Sequence, residues 1–207
     1  MSAAQIEHLH KELPRGLSLQ MKMAQWLGLI DERIKKRLLG FIEEAREVDY
    51  AVVLAMDGIY DEKGEFDWNR TSFYVPNDYV LDLARVSPKV IPAASVNPMR
   101  KDWGEELERC HERGARLIKW LPSSQAFDPG DRRFLPFYKK LAEKKIPLLS
   151  HTGYEHTIIS AYENHRQAFG DPRRLTPALE AGVTVIMAHS GTSGGKGEPD
   201  YFDDFVE

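Results

Sequence analysis

Cysteine is nearly absent from this sequence: Cys110 is the only one among 207 residues, so no intramolecular disulfide can form. A chain without disulfides is typical of a reducing compartment, and we expect a cytoplasmic protein. Long apolar runs are missing too, since none approaches the roughly 18–20 residues that a membrane helix needs. The first residues also lack the continuous apolar segment of a signal peptide. The sequence therefore predicts neither a membrane-bound nor a secreted protein.

Blocks of like charge are absent as well. The 28 lysine and arginine residues nearly balance the 32 aspartate and glutamate residues, for a net charge of −4. Nucleic acid is not an expected partner, because neutralising its phosphates requires a clustered basic surface. With hydrophobic residues at 42% and charged residues at 29%, the composition suits a protein with a sizeable core. We predict a single domain over residues 1–207 that binds a small molecule.

What the sequence does contain is a repeat of amphipathic helices and compact apolar runs. The apolar runs predict strands that begin near residues 50, 90, 115, 146 and 183. Helices are predicted in the segments DERIKKRLLGFIEEAREV, NDYVLDLARV, KDWGEELERCHERG, RRFLPFYKKLAEKK and DPRRLTPALEAG. The apolar runs are nearly continuous, as expected for a parallel sheet that is covered on both faces. This alternation permits either an open doubly wound sheet or a closed (β/α)8 barrel.

Glycine patterns help to separate these two folds. A dinucleotide-binding open sheet would carry G-x-G-x-x-G after its first strand, and no predicted strand is followed by that pattern. The glycine-rich segment GTSGGKG at 191–197 matches neither this pattern nor the Walker A spacing. The sequence therefore favours an α/β fold built as a (β/α)8 barrel of the TIM type.

Polar residues end all five predicted strands, namely Asp57, Asn97, Lys119, His151 and His189. In a parallel α/β barrel the C-terminal ends of the strands meet at one rim, where active sites are built. Folding alone would be served as well by small or apolar residues there, so the convergence indicates chemistry. Structural alternatives stay open, since Asp57 and Asn97 suit turns or caps and Lys119 suits a charge that snorkels to solvent.

The two histidines suggest a metal centre. His151 and His189 occupy equivalent positions on consecutive strands, and each begins a turn of small residues, HTG and HSG. Neutral imidazole is a common ligand of zinc and other divalent metals. Such a metal lowers the pKa of its bound water towards about 7, which supplies a nucleophile at neutral pH. Beside this centre, Lys119 could hold a substrate anion or, once carbamylated, act as a bridging carboxylate.

Several rim residues are predicted to contact a substrate. His156 lies in the loop that follows His151, and Asp57 and Trp120 lie at the ends of two other strands. The aromatic-rich loop Phe66–Tyr74, together with Phe127 and Tyr154, could line an apolar pocket or simply cover the barrel rim.

Three segments resemble the amidohydrolase-related family, which also contains the aminocarboxymuconate-semialdehyde and resorcylate decarboxylases. They are GARLIKWLPSSQAFDP with Lys119, IPLLSHTG with His151, and VTVIMAHSGT with His189. The resemblance runs from about Asp49 to Thr192. It implies a (β/α)8 barrel with a divalent metal, often zinc, in which His151 is a metal ligand. His189 would be a second ligand or the acid/base residue, and Lys119 falls where some relatives have a bridging lysine.

Two features of that family are missing from the sequence. No convincing first strand ends in H-x-H, because His8 and His10 lie in AAQIEHLHKEL, which favours a helix. No aspartate ends an eighth strand, and Asp203 and Asp204 in the final YFDDFVE begin a predicted helix instead. We therefore expect an incomplete barrel with about strands 2–6. We also expect these 207 residues alone to be inactive and to self-associate through open strand edges.

Three functions are compatible with these residues. The leading one is a metal-dependent hydrolase, in which metal-activated water attacks an amide, ester or lactone carbonyl and His189 and Lys119 are catalytic. The second is a non-oxidative decarboxylase or hydratase on the same scaffold, in which His189 moves a proton. The third is a truncated or degenerate barrel that binds a small molecule or a partner without catalysis.

Overall fold

A computed structural model describes residues 29–158, 164–192, 195 and 197–207; His8 and His10 lie outside the described residues. Within them, one parallel sheet has the strand order β1-β2-β3-β4-β5. Its strands are β1 (Ala51–Leu54), β2 (Val90–Ala94), β3 (Leu117–Trp120), β4 (Leu148–His151) and β5 (Val185–Ala188). Each strand begins within two residues of its predicted start. The predicted parallel α/β architecture is therefore confirmed.

Helices connect the strands. They are α1 (Leu29–Glu44), α2 (Asn77–Val86), α3 (Trp103–Glu112), α4 (Pro122–Gln125), α5 (Leu135–Lys144), α6 (Thr176–Glu180) and α7 (Phe202–Val206). Short 3-10 turns occupy Arg132–Phe134, Asn164–Gly170, Pro172–Leu175 and His189–Gly191. Helix α2 spans the predicted segment NDYVLDLARV. In the part of the chain that the structure describes, no helix is both long and apolar enough to cross a membrane.

The outer face of the sheet carries the main core. Successive side chains of a strand point to opposite faces, which places Ile118 and Trp120 of β3 on one face and Lys119 on the other. Trp120 is fully buried and packs against the rings of Phe137 and Tyr138 on α5. The same core encloses Cys110 of α3, which is 0% exposed. Complete burial of a large apolar side chain contributes about 1.5–3 kcal/mol, so this face fixes the sheet to its helices.

The inner face of the sheet is more open. Strand register pairs Lys119 with Leu149, and Leu149 with Ile186, so these three side chains form one row. His151 and Ala188 form the next row towards the C-terminal ends. Exposed apolar side chains lie towards the sheet edges on this face: Val52 is 48% exposed, Leu54 40% and Ile186 47%. The inner face thus points Lys119 and His151 in the same direction, one row apart.

Candidate active site

His151 and His189 lie side by side at the C-terminal ends of β4 and β5. Their ring centroids are 4.7 Å apart, with an angle of 58° between the ring planes. His151 is the last residue of β4 and is only 7% exposed, whereas His189 follows β5 and is exposed. The structure therefore brings together the two imidazoles that the sequence singles out, with one ring sealed and the other open to solvent.

An unusual backbone conformation places His189. His189, Ser190 and Gly191 have φ values of 68°, 54° and 66°, all in the left-handed region. If β5 continued as a strand, His189 would point away from the face that Ala188 shares with His151. The left-handed turn interrupts that alternation. This conformation is disfavoured for residues other than glycine, and such strain tends to cluster at functional sites.

Thr152 ties this turn to the end of β4. Its hydroxyl donates to the Ala188 carbonyl oxygen at 2.6 Å and accepts from the Gly191 amide at 2.9 Å. Gly191 in turn accepts a hydrogen bond from the Tyr201 amide at 2.9 Å, and its missing side chain lets Tyr201 approach. The Thr152 hydroxyl and the Gly191–Tyr201 hydrogen bond thus hold the turn that carries His189 against the end of β4.

The neighbours of His151 indicate which of its two ring nitrogens carries the hydrogen. Its Nε2 lies 3.4 Å from the carbonyl oxygen of Tyr154, and because a carbonyl only accepts, this nitrogen donates. The other nitrogen, Nδ1, then faces the Glu155 carboxylate at 3.7 Å. Burial, reinforced by the nearby charge of Lys119, lowers the pKa of His151 to about 4. His151 is therefore a neutral base at physiological pH, the form that binds metals.

Glu155 is held as an anion beside His151, although the sequence analysis missed it. Burial raises the pKa of its carboxyl, but the amides of Ile158 and Thr157 outweigh this effect and the pKa is lowered overall. Those amides donate to one carboxylate oxygen at 2.9 Å and 2.5 Å. The available signal was an acidic residue four positions after a strand-end histidine.

The loop that carries Glu155 is fixed by its neighbours. The Glu155 amide donates to the Gln167 side chain at 2.9 Å, and the Gln167 amide group donates back to the Glu155 carbonyl oxygen at 2.7 Å. Gly153 donates to the Gly170 carbonyl oxygen at 2.8 Å. A Cβ atom added to Gly170 would collide with the Gly153 carbonyl oxygen, so the two segments approach closely.

Lys119 lies on the same inner face, one row below His151. The residue is only 9% exposed, and no hydrogen bond or ion pair joins its ammonium to any residue that the structure describes. Burial lowers the pKa of its amine to about 8, although the charge of Glu155 opposes the shift. Lys119 is thus a cation in an environment that does not compensate its charge.

Asp57 and Asn97 have a different environment at the ends of β1 and β2. The Asp57 carboxylate accepts from the Gly58 amide at 2.9 Å, the Tyr60 hydroxyl at 3.0 Å and the Asn97 amide at 2.9 Å, with Arg100 at 3.4 Å. Burial raises the pKa of this carboxyl, while Arg100 and the two amides oppose the shift.

Asn97 extends this network. Its side-chain amide donates to the carbonyl oxygens of Gly58 at 2.9 Å and Gln125 at 3.0 Å, and its oxygen accepts from the Met99 amide at 3.0 Å. Together, Asp57 and Asn97 join the loops after β1 and β2 to each other and to helix α4. The substrate contact predicted for Asp57 stays a prediction, and its carboxylate already has four protein partners.

Trp120 does not reach the site. It is 0% exposed, and its indole nitrogen donates to the Val96 carbonyl oxygen at 2.8 Å within the outer core. Phe127 packs against the same ring, with centroids 4.8 Å apart. The structure therefore places both residues, predicted to contact substrate or line a pocket, among the packed helices. Neighbours on a strand face opposite ways, so Lys119 and Trp120 cannot share the inner face.

The remaining predicted residues lie in rim loops. His156 is exposed and its Nε2 lies 2.9 Å from the Glu198 carboxylate, and its contact with a substrate stays a prediction. The aromatic loop packs on itself: the Phe66 ring centroid lies 4.3 Å from that of Trp68 in a tilted arrangement and 5.2 Å from that of Tyr74 in an edge-to-face one. Trp68 is 54% exposed, and the lining of a pocket by this loop stays a prediction.

Comparisons with known proteins extend the description of the fold. No protein-family model matches the sequence, and no curated protein matches it either. An uncharacterised TIM-barrel protein from Bordetella bronchiseptica matches with a TM-score of 0.56 and 18% identity. That match covers 75% of this chain and 51% of the other, so the chain spans about half the length of that protein. The likeness shows that the chain has a TIM-barrel fold, as predicted.

Two further solved structures are similar to parts of the chain, at levels that define neither fold nor function. One is a candidate 2-pyrone-4,6-dicarboxylic acid hydrolase from Pseudomonas putida, with a TM-score of 0.43, 15% identity and coverage of 60% of this chain and 42% of that one. The other is an amidohydrolase from Mycobacterium avium subsp. paratuberculosis, with a TM-score of 0.46, 15% identity and coverage of 83% and 50%.

Proposed function

We propose that this chain supplies part of the active site of a metal-dependent hydrolase of the amidohydrolase-related type, acting on an amide, ester or lactone of a small molecule. The observation that carries the proposal is the pair of imidazoles, 4.7 Å apart, at the C-terminal ends of adjacent parallel strands. In TIM-barrel enzymes this end of the strands holds the reacting groups. The strained turn at His189 adds support, because a fold without a site would have little reason to retain it.

A divalent metal, for which zinc is our first choice, fits the pair of histidines. Imidazole is a common zinc ligand, and two rings whose centroids lie 4.7 Å apart could both hold one ion. The Nδ1 atom of His151 and the Glu155 carboxylate are both acceptors and face each other at 3.7 Å, an arrangement that a cation would stabilise. The described residues contain no set of three ligands placed around one point. The two histidines would thus leave other positions on the metal open.

Each residue then has a role in the proposed reaction. A divalent cation at this position supplies Lewis acidity, which polarises a carbonyl oxygen and makes water more acidic. His151 would hold the cation through its neutral ring. His189 would be the second ligand, and because it is exposed it would leave the cation open to water and substrate from the solvent side. Thr152 would keep the two rings at a fixed separation.

Metal binding by the whole chain tests the proposal. We expect the purified protein to bind about one equivalent of Zn²⁺ or Co²⁺ in equilibrium dialysis. His151→Ala and His189→Ala should each weaken that binding at least about tenfold, because each removes one donor. His156→Ala is the matched control and should bind metal like the parent protein, since His156 lies outside the pair. A parent protein that binds no metal above background would overturn the proposal.

The reaction class requires a second measurement. Metal-loaded protein should release acid from simple lactones and esters at a rate that His189→Ala lowers at least about a hundredfold. The same preparation offered aromatic carboxylates and scored for CO2 release tests the decarboxylase alternative. Turnover of carboxylates without any lactone or ester hydrolysis would replace the hydrolase assignment by the decarboxylase one.

A further inference from the structure

Lys119 is a buried cation whose partner is not among the described residues. The residue is 9% exposed, yet the described carboxylates form no ion pair with its ammonium. Its nitrogen is not among the fully buried, unpaired polar atoms of the described residues, so it keeps some contact with solvent while most of the residue is buried. A charge in this position has reduced hydration and no described carboxylate to compensate for it. Charges retained in such positions in proteins commonly serve a ligand.

The nearest anion is already engaged. The charge of Glu155 raises the pKa of Lys119, but the two side chains form no ion pair. One of the Glu155 oxygens accepts from two backbone amides, and the other faces His151 at 3.7 Å. A second polar group near the end of β3 has no partner among the described residues: the Ser123 hydroxyl, four residues after Lys119, is buried and makes no hydrogen bond to them. The end of β3 therefore carries an ammonium without an ion-pair partner and a hydroxyl without a hydrogen-bond partner among the described residues.

The neighbours of Lys119 limit what could bind there. Leu149 and Ile186 continue its row across the inner face, and both are apolar. One row further on lies His151, and beside it His189. A ligand that reaches Lys119 thus touches an apolar wall and has its other end next to the imidazole pair.

We propose that Lys119 is the anion-binding group of this site and that the substrate carries a carboxylate next to the group that reacts at the histidines. This inference rests on the proposed function, because it concerns the same site. A monocarboxylate is the best match, since a single ammonium balances one negative charge, whereas a phosphate dianion calls for additional donors. The apolar row suits an aromatic or aliphatic body attached to that carboxylate.

Benzoate and benzamide form a matched pair of probes, since they share size and shape and differ in charge. With metal removed by a chelator, we expect the full chain to bind benzoate at least about tenfold more tightly than benzamide, as measured by ligand-observed NMR titration. Lys119→Met should abolish this preference and Lys119→Arg should retain it. Lys139→Met, which removes one charge from an exposed position on α5, is the control and should keep the preference.

Two results would overturn the inference: equal binding of benzoate and benzamide by the parent protein, or a preference that survives in folded Lys119→Met. The first comparison needs no variant, so it decides even if a substitution disturbs folding. Metal binding reports on the proposed function separately. A parent protein that prefers benzoate but binds no Zn²⁺ or Co²⁺ would contradict the hydrolase proposal alone. A parent protein that binds the metal but does not prefer benzoate would contradict only the carboxylate subsite.

Discussion

The polar residues at the ends of β1 and β2 differ from those at the ends of β3 and β5 in how the surrounding protein holds them. Asp57 accepts hydrogen bonds from three groups and contacts Arg100, and Asn97 uses both ends of its amide. Lys119, by contrast, has no described partner, and His189 sits in a strained left-handed turn. Asp57 and Asn97 therefore stabilise the fold through their hydrogen bonds. Lys119 and His189 destabilise it, but they remain free to contact a ligand.

This difference shows how to interpret polar strand ends in a barrel. Position alone makes all of them candidates for chemistry, because they share one rim. Hydrogen-bond satisfaction then separates them, since a buried polar group that is already paired has little left to offer a ligand. Stability measurements on the metal-free protein test this separation, and the following substitutions are ordered by the size of the expected effect.

Asp57→Ala should have the largest effect, a loss of about 3–5 kcal/mol in the free energy of unfolding. It removes the acceptor for two buried amides and a hydroxyl and leaves Arg100 without one of its carboxylates. Urea unfolding followed by circular dichroism measures the loss. Glu62→Ala, an acidic side chain that is 85% exposed, is the control and should change stability by less than about 0.5 kcal/mol. A comparably small effect of Asp57→Ala would contradict the cohesive role.

Lys119→Met should act in the opposite direction and stabilise the metal-free protein by about 2 kcal/mol at pH 7. The pKa of Lys119 falls from 10.5 to about 8 because burial disfavours its charged form. Below pH 8 the buried amine is charged, and its desolvation lowers the free energy of unfolding by the full amount. This destabilisation disappears as the pH rises from 8 to 10.5, because the folded protein then loses the proton.

The gain from Lys119→Met should therefore shrink over that pH range, as measured by urea unfolding at pH 7, 9 and 10.5. Lys139→Met is the matched control and should give no such pH-dependent gain. A destabilised Lys119→Met at pH 7 would mean that the ammonium has a partner in the folded protein.

Thr152→Val should cost about 1–2 kcal/mol, because it leaves the Gly191 amide and the Ala188 carbonyl oxygen without the hydroxyl between them. The substitution keeps the shape of the side chain. It should also change the NMR signals of the His189 ring, since the turn that places this ring loses its link to β4. Thr184→Val replaces an exposed threonine next to β5 and should alter neither quantity. Unchanged His189 signals in Thr152→Val would rule out the positioning role.

His189→Gly should have the smallest effect, a gain of about 0.5–1 kcal/mol in stability together with the loss of metal binding. Glycine adopts the left-handed conformation without steric cost, and its greater freedom in the unfolded chain offsets part of the relief. Thermal unfolding detects a change of this size. Thr192→Gly, at a φ of −66°, is the comparison and should destabilise the protein. Loss of stability in His189→Gly would show that the turn is not strained.

The sheet could be predicted from sequence, because strands and helices are set by local periodicity. The starts of all five strands and both ends of α2 follow from the order of apolar and polar residues. Placing His151 beside His189 needed only one further rule, that adjacent parallel strands end at the same rim. Alternation along β3 could also have separated Lys119 from Trp120, which face opposite sides.

The difference between the two groups of strand ends could not be predicted in the same way. The partners of Asp57 come from Tyr60 and Arg100, which belong to two different loops and meet only in the folded chain. The left-handed turn at His189 also has no local signature, because histidine and serine rarely adopt it. The hydrogen-bond partners of a buried polar group and the strain of its backbone both depend on tertiary contacts. These contacts decide which polar residues can still bind a ligand.

Cys110 has a practical consequence for studying the rim. The only thiol of the chain is buried between α3 and the sheet, and burial raises its pKa to about 12. Alkylating reagents should therefore not react with it in the folded protein. A cysteine introduced at exposed Thr157, in the loop beyond His151, would then be the single site of labelling. A fluorophore attached there would report the arrival of small molecules without altering either imidazole.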